Sequence, residues 1–248
     1  PVELWPVDAN GVADLDWLRD RLKAGDRPFV ALMLANNETG VIQPVAETAA
    51  LVREAGGRLH VDAVQAPGKI AIDLDALGAD TLAISAHKLG GPQGAGALVW
   101  GERAVLRRRL HGGGQERGVR AGTENLSGIA GLAAACAAAE TDLDRAADQA
   151  AVRDAAAERC KALGAIVAGE GAPRLSTHLC LAVPDWGSEL QVIALDLAGV
   201  MVSAGAACSS GKVRPSRVLS AMGLESVAGG ALRATGGWNT RPADWDLF

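Results

Sequence analysis

The chain has 248 residues, 49% of them hydrophobic and 21% charged, and a formal net charge of −5. This length is enough for one or two domains that bury their own cores. The acidic balance excludes an extended nucleic-acid surface, which needs clustered Lys and Arg. Arg107-Arg108-Arg109 forms a single short basic run, and we expect it to be a solvated helix end. No apolar run approaches the ~20 residues of a membrane span, so we expect neither a nucleic acid nor a membrane as partner.

The cysteines, at positions 136, 160, 180 and 208, lie too far apart for a Cys-x-x-Cys or zinc motif. A chain of this size does not depend on disulfides, and a reducing cytoplasm is the expected location. Cys136 lies in an alanine run and Cys180 in a strand pattern, so both are expected in the core. Cys160 is expected to be structural as well.

The first half of the chain alternates predicted helices and strands. Leu15, Leu18 and Leu22 have helical spacing, and Pro44 opens a second helix. Apolar runs at 29–34, 58–62 and 81–84 predict three strands, and 97–100 predicts a fourth. Such alternation is typical of an α/β fold with a mostly parallel sheet under helices.

Polar side chains follow each of the first three strands. Asn37 follows the first, Asp62 ends the second with Gln65 just beyond it, and Ser85-Ala86-His87-Lys88 follows the third. The carboxyl ends of parallel strands border a crevice where ligands bind. Lys88, between a buried strand and the glycine-rich segment 90–96, is a candidate for covalent chemistry. An amine, a carboxylate and hydroxyl and imidazole donors together suit pyridoxal phosphate.

The second half begins with an alanine-rich stretch, 125–161, that predicts one long helix or a broken pair. We place a domain boundary inside it, giving domains 1–145 and 146–248. Strands are expected at 165–167, 178–183 and 200–202, and a helix at 215–222. Ser188 and Gln191 fit a capping box for another helix, which Gly199 ends and in which Leu190, Ile193, Ala194 and Leu197 share a face.

Several ordered motifs resemble those of the cysteine desulfurases, which are class V aminotransferase-like pyridoxal-phosphate enzymes of fold type I. They are Asn36-Asn37-Glu38-Thr39-Gly40, His60-Val61-Asp62-Ala63-Val64-Gln65, Ser85-Ala86-His87-Lys88, His111-Gly112-Gly113-Gly114-Gln115-Glu116-Arg117-Gly118 and Arg120-Ala121-Gly122-Thr123. The resemblance covers nearly the whole chain and implies a large, mostly parallel domain followed by a smaller α+β domain. It begins partway through the family's large domain, so the upstream threonine loop and the ring-stacking histidine have no counterpart.

The resemblance implies a role for each cofactor residue. Lys88 would form the imine with pyridoxal phosphate, Asp62 would pair with the ring nitrogen, and Gln65 with the ring hydroxyl. Ser85 and His87 match phosphate ligands. Asn37 matches a residue beside both cofactor and substrate.

The resemblance also assigns the substrate and subunit contacts. Arg233 matches the arginine that binds the substrate carboxylate, for which a guanidinium fork is suited. Cys208, in a segment of Gly, Ala and Ser, matches the cysteine that takes up sulfur as a persulfide. Thr123 matches a residue that reaches the cofactor phosphate of the neighbouring subunit, which implies a homodimer with shared sites.

The expected activity is conversion of L-cysteine to L-alanine, with sulfur passed from Cys208 to an acceptor or iron–sulfur scaffold protein. Alternatives are a selenocysteine lyase or related enzyme, or an inactive truncated relative that acts as a dimerisation or scaffold partner. His111-Gly112-Gly113-Gly114 could also suggest a lipase oxyanion loop. That interpretation fails because the chain has no Gly-x-Ser-x-Gly nucleophile motif.

Overall fold

The computed structural model describes residues 2–23, 27–205 and 215–248. Contacts group the chain into two compact units: unit 1 is Pro1–Arg21, Leu34–Pro44 and Asp142–Phe248, and unit 2 is Leu22–Met33 and Val45–Thr141. The last junction lies near the predicted boundary at 145. The early segments join unit 1 because Leu175 N donates to Gly40 O at 2.8 Å and Ile42 N to Pro173 O at 2.8 Å. The domain division 1–145 and 146–248 stays a prediction.

Helix α1 (Leu15–Leu22) buries Leu18, as the leucine spacing predicts. Unit 2 is built on a four-stranded sheet with the order β1-β2-β3-β4. Strands β1 (Phe29–Met33), β2 (Arg58–Asp62) and β3 (Thr81–Ser85) are parallel, and β4 (Gly96–Trp100) is antiparallel to β3. The predicted α/β class with a mostly parallel sheet is confirmed.

Helices α2 (Val45–Glu54), α3 (Leu74–Leu77) and α4 (Leu126–Asp142) complete unit 2. Pro44 precedes α2, where the first turn can spare an N–H. Leu59 and Val61 of the inner strand β2 are almost fully buried, whereas Phe29 of the edge strand β1 is 72% exposed. The inner strands β2 and β3 therefore supply the core beneath the sheet edge that carries the candidate site.

The alanine-rich stretch forms a broken pair of helices, one of the two predicted arrangements. A 3-10 turn (Leu143–Arg145) separates α4 from α5 (Ala146–Ala162). By length and composition alone the stretch Leu126–Ala162 could cross a membrane, but one such helix is weak evidence for a span. The charged residues Asp144 and Arg145 lie in the turn between the two helices.

Unit 1 contains a second, antiparallel sheet with the order β5-β6-β8-β7. Its strands are β5 (Ile166–Val167), β6 (His178–Ala182), β7 (Ser203–Ala204) and β8 (Ala231–Thr235). Besides α1 and α5, the described residues of unit 1 form the helices α6 (Ser188–Leu197), α7 (Arg217–Ala221) and α8 (Pro242–Asp246). Alternate residues of β6 enter two cores. Leu179 packs in a cluster with Trp245, and Cys180 in a cluster with Leu219.

Two local predictions in unit 1 are wrong. The N-cap of α6 is Gly187, and Ser188 forms no capping box, because the Gln191 amide donates instead to the carbonyls of Trp186 (2.6 Å) and Gly230 (3.0 Å). The strand expected at 200–202 lies slightly later, at β7, where pairing with β8 begins. Gly199 follows the end of α6 with a φ of 83°, as predicted.

The apolar face predicted for α6 exists but is not covered by unit 1. Leu190, Ile193 and Leu197 are all more than half exposed. Helical spacing correctly grouped these residues, but it does not determine whether another part of the fold packs against them.

Candidate cofactor and substrate site

The tips of β2 and β3 lie side by side at one edge of the sheet in unit 2. The strands are parallel, and Asp62, the last residue of β2, is paired with Ala83 of β3. Ser85 ends β3 two residues later, and a 3-10 turn (Ala86–Lys88) follows directly. The carboxylate of Asp62 and the amine of Lys88 therefore belong to neighbouring strand ends on the same edge.

The Lys88 turn is held by backbone hydrogen bonds and by close packing. Ala86 N donates to Ala95 O at 3.0 Å, and Gly91 N donates to Ala86 O at 2.9 Å. A Cβ on Gly91 would lie 3.1 Å from the Cβ of Ala135 in α4, so glycine allows the chain to pass close to that helix. The turn buries Ala86 and leaves Lys88 exposed, which keeps its amine available.

The other predicted cofactor residues on this edge form a suitable donor set. Ser85 Oγ and His87 Nδ1 are 2.8 Å apart, and both side chains reach solvent. Asp62 Oδ1 accepts a hydrogen bond from Val64 N at 3.1 Å, while the carboxylate remains exposed. Gln65 is buried just beyond it. An exposed carboxylate, an exposed amine and a hydroxyl–imidazole pair on one edge fit the ring nitrogen, aldehyde and phosphate of pyridoxal phosphate.

The glycine-rich segment 111–118 contains two non-glycine residues in the left-handed region. The φ angles are 49° for Glu116 and 54° for Arg117. Such strain is concentrated at functional sites in proteins. Arg108 Nε donates to Gly118 O at 2.5 Å. The basic run 107–109 lies outside any helix, so the prediction of a helix end is wrong. The hydrogen bond of Arg108 instead holds the end of the glycine-rich segment 111–118.

Thr123, the residue expected to reach a neighbouring subunit, is exposed in unit 2. It precedes α4, whose first turn is capped by Asn125: Asn125 Oδ1 accepts a hydrogen bond from Gly128 N at 3.1 Å. The hydroxyl is accessible to solvent, and its contact with a second copy stays a prediction.

Sequence reasoning missed Lys69, which lies beside Lys88. Its Nζ donates to the carbonyl oxygen of Lys88 at 3.4 Å. Burial lowers the pKa of Lys69, and the positive charge of Lys88 lowers it further. No spacing rule points to this residue, because the contact joins two separate turns.

In unit 1, Asn37 and Arg233 are in direct contact. Arg233 Nη1 donates to the carbonyl oxygen of Asn37 at 2.9 Å, and Nη2 donates to Ser203 Oγ at 3.3 Å. Each Nη carries two N–H groups, so one donor on each remains for a carboxylate. Arg233 Nε is buried and has no hydrogen-bond partner among the residues that the structure describes. The two contacts fix the plane of the guanidinium.

Glu38 is a second residue that sequence reasoning missed. It is 7% exposed, and Ser216 Oγ donates to its Oε2 at 2.6 Å. Burial raises the pKa of Glu38, while Ser216 and the charge of Arg233 act in the opposite direction. The sequence feature that could have identified Glu38 is the polar motif Asn36-Asn37-Glu38, in which the sequence analysis gave a role to Asn37 alone.

The cysteines differ in their availability. Cys180 is completely buried, as predicted, and burial raises the pKa of its thiol to about 12, which makes it a poor nucleophile. Cys136 and Cys160 are partly buried, and burial raises the pKa of Cys160. Cys208 lies outside the described residues. Within the described part of the chain, no group of three or more His, Cys, Asp or Glu side chains could hold a metal ion.

The family model for class V aminotransferases matches residues 1–245 of the chain. The cysteine desulfurase IscS of Dictyoglomus turgidum is 37% identical over 243 residues, which are 96% of this chain and 61% of that protein. A cysteine desulfurase of Cereibacter sphaeroides is 42% identical over 234 residues, covering 92% of this chain and 59% of the relative. The chain thus spans about 60% of the length of these relatives.

A solved structure of a NifS-like protein from Rickettsia africae superimposes with a TM-score of 0.87 at 29% identity. The alignment covers 98% of this chain and 66% of that protein. The similarity to these relatives is therefore seen in the backbone fold as well as in the sequence.

Proposed function

The chain belongs to the class V aminotransferase family, and on that premise we propose that it is a pyridoxal-phosphate-dependent cysteine desulfurase. It converts L-cysteine to L-alanine and leaves a persulfide on Cys208. The supporting observation is the pairing of β2 with β3, which puts Asp62 and Lys88 at neighbouring ends of parallel strands. The named desulfurases among its relatives agree with this choice of reaction.

The residues of unit 2 would hold the cofactor. Lys88 would bind the aldehyde, and Asp62 would keep a proton on the ring nitrogen. Gln65 would contact the ring hydroxyl. Pyridoxal phosphate, when bound, withdraws electrons from the substrate Cα. The phosphate ligands would be Ser85 and His87, whose hydroxyl and imidazole are already 2.8 Å apart, with Thr123 supplied by a second copy.

The residues of unit 1 would orient the substrate. Arg233 is held by the carbonyl of Asn37 and by Ser203, and it retains an N–H on each Nη for the two oxygens of a carboxylate. This arrangement would bind the carboxylate of an amino-acid substrate, and Asn37 would lie next to that carboxylate.

Sulfur transfer would use Cys208 as the nucleophile. Its thiolate attacks the sulfur of the substrate, so an S–S bond forms while the Cβ–S bond of the substrate breaks. The electron pair of that bond passes to the substrate carbon, which takes up a proton and becomes the methyl group of alanine. An acceptor thiol or an iron–sulfur scaffold protein in the cytoplasm would then receive the terminal sulfur.

The test is Cys208→Ala with Cys160→Ala as the matched control. We expect Cys208→Ala to form no alanine from cysteine, because no thiolate accepts the sulfur, while borohydride still traps pyridoxal phosphate on Lys88. The control should keep both properties. Alanine formation by Cys208→Ala at the wild-type rate would refute the assignment.

Two further measurements separate this function from the alternatives. A ratio of rates with selenocysteine and cysteine far above one would favour a selenocysteine lyase. Absence of any trapped mass on Lys88 in the wild-type chain would favour a non-enzymatic partner.

A further inference from the structure

Two lysines of unit 2 meet at the candidate cofactor edge, although they are 19 residues apart. Lys69 Nζ is 3.4 Å from the carbonyl oxygen of Lys88, to which it donates a hydrogen bond. Lys88 is the last residue of the 3-10 turn Ala86–Lys88. Carbonyls at a helix end are left without an intrahelical partner, and an ammonium group satisfies one of them.

The two turns that carry these lysines are packed on the same helix, α4. Lys69 N donates to Ala66 O at 3.0 Å, which closes the first turn. A Cβ on Gly68, next to Lys69, would lie 3.0 Å from the Cβ of Ala139. Gly91, just after the Lys88 turn, approaches Ala135 one helical turn earlier. Ala135 and Ala139 of α4 therefore allow both the Lys69 turn and the Lys88 turn to pack closely on this helix.

The position of Lys69 disfavours its charged form. Lys69 is partly buried and lies near a second positive charge, that of Lys88, and both effects lower its pKa. The oxygen that it contacts lies at the end of the 3-10 turn that carries the Lys88 amine. A charged group with a lowered pKa that contacts the backbone of the candidate covalent lysine is a candidate for a functional role.

We propose that Lys69 is a positioning residue, whose ammonium anchors the Lys88 carbonyl and so fixes the turn from which the Lys88 amine reaches the cofactor aldehyde. This inference rests on the proposed function, because it assumes that Lys88 is the cofactor-binding lysine. The anchor acts through the backbone of Lys88 and involves no contact with the substrate.

The test compares Lys69→Met, which keeps the chain length and removes the donor, with Lys69→Arg, which keeps a charged donor. Lys161→Met is the matched control, because that ammonium is paired with Glu158 and Glu170 in unit 1. We measure the rate at which the cofactor-free 248-residue chain captures pyridoxal phosphate, by imine absorbance and by the borohydride-trapped mass on Lys88. Hydrogen exchange over residues 86–91 and the melting temperature are measured on the cofactor-free chain.

We expect Lys69→Met to capture the cofactor about tenfold more slowly and to exchange faster over 86–91, since the loss of one charge-assisted hydrogen bond is of that order. Its melting temperature should be unchanged or higher. Lys69→Arg should recover most of the rate, and Lys161→Met should match the wild type.

Wild-type capture and exchange in Lys69→Met would overturn the inference while leaving the proposed function intact. A lower melting temperature with unchanged exchange over 86–91 would also overturn it, because Lys69 would then be structural. If the wild type captures no cofactor on Lys88, the proposed function fails, and the exchange measurement alone decides whether Lys69 anchors the turn.

Discussion

At the scale of single residues, the distinguishing feature of unit 1 is a guanidinium held by neutral oxygens. Arg233 donates from Nη1 to Asn37 O and from Nη2 to Ser203 Oγ. Both acceptors are uncharged, so these contacts orient the guanidinium and do not neutralise its charge. A lysine in this position would keep the charge but could not span both oxygens with one nitrogen.

We therefore expect Arg233→Lys to raise KM for cysteine by about ten- to a hundredfold, as for the loss of a charge-assisted hydrogen bond of ~1.5–3 kcal/mol. Trapping of pyridoxal phosphate on Lys88 should be almost unchanged, because the proposed cofactor ligands are other residues. Arg241→Lys, an exposed arginine paired with Asp244, is the control. An unchanged KM in Arg233→Lys would contradict the carboxylate role.

Glu38 gives a prediction on pH dependence. Burial raises its pKa in the folded chain above the ordinary value of 4.5. The folded state then binds the proton more tightly than the unfolded state, so the contribution of Glu38 to stability is present below pH 4.5 and is lost as pH rises through the raised pKa. Glu38→Gln cannot titrate, and its free energy of unfolding should fall less across that window.

The measurement is urea unfolding of the wild type and Glu38→Gln at pH 4.5 and pH 8. Ser216→Ala is the companion variant, because it removes the hydroxyl that donates to Oε2 at 2.6 Å and leaves a buried oxygen unsatisfied, at about 1–3 kcal/mol. Parallel pH profiles for the wild type and Glu38→Gln would contradict a raised pKa of Glu38 in the folded chain.

At the scale of elements, α4 is the surface on which both lysine-bearing turns of unit 2 are packed. Ala135 and Ala139 face glycines at 3.1 and 3.0 Å from where a Cβ would lie. A small side chain on each partner is required there, because a core at this density leaves no room for another methyl group.

A matched pair of substitutions isolates this packing. Gly68→Ala and Gly94→Ala share the strain of a positive φ, 72° and 78°, but a Cβ on Gly94 would meet nothing within 4 Å. We expect Gly68→Ala to lose about 1–3 kcal/mol more stability in urea unfolding than Gly94→Ala. Equal losses would mean that α4 shifts to accept the methyl group.

At the scale of the whole molecule, the chain divides into two compact units, and each holds part of the proposed machinery. Asp62, Ser85 and Lys88 belong to unit 2, and Arg233 belongs to unit 1. Thr123 is exposed, and its contribution to a second copy stays a prediction.

Complementation tests the shared site. In a mixture of Lys88→Ala and Thr123→Ala chains, a heterodimer would contain one site with both residues intact and one site lacking both. We expect the mixture to capture more pyridoxal phosphate than the average of the two variants alone, with a dimer mass in sedimentation. Capture equal to that average would mean that Thr123 does not act in a neighbouring subunit.

The sequence by itself determined which elements form and which chemistry their ends carry. Strand periods, Pro44 and the glycines are local signals, so the strands ending near Asp62 and Ser85 could be predicted, whereas the alanine-rich stretch left one long helix and a broken pair equally open. The position of Lys88 after a buried strand likewise identified it as the covalent candidate, since such a position is unusual for a lysine.

Only the tertiary structure decided which distant groups meet. It made β4 antiparallel to β3, drew the Gln191 amide to two carbonyls instead of a helix cap, and left the apolar face of α6 exposed. It also brought Lys69 to the carbonyl of Lys88. These outcomes depend on the packing of residues that are far apart in the chain. A local sequence pattern does not specify which distant residue a side chain will contact.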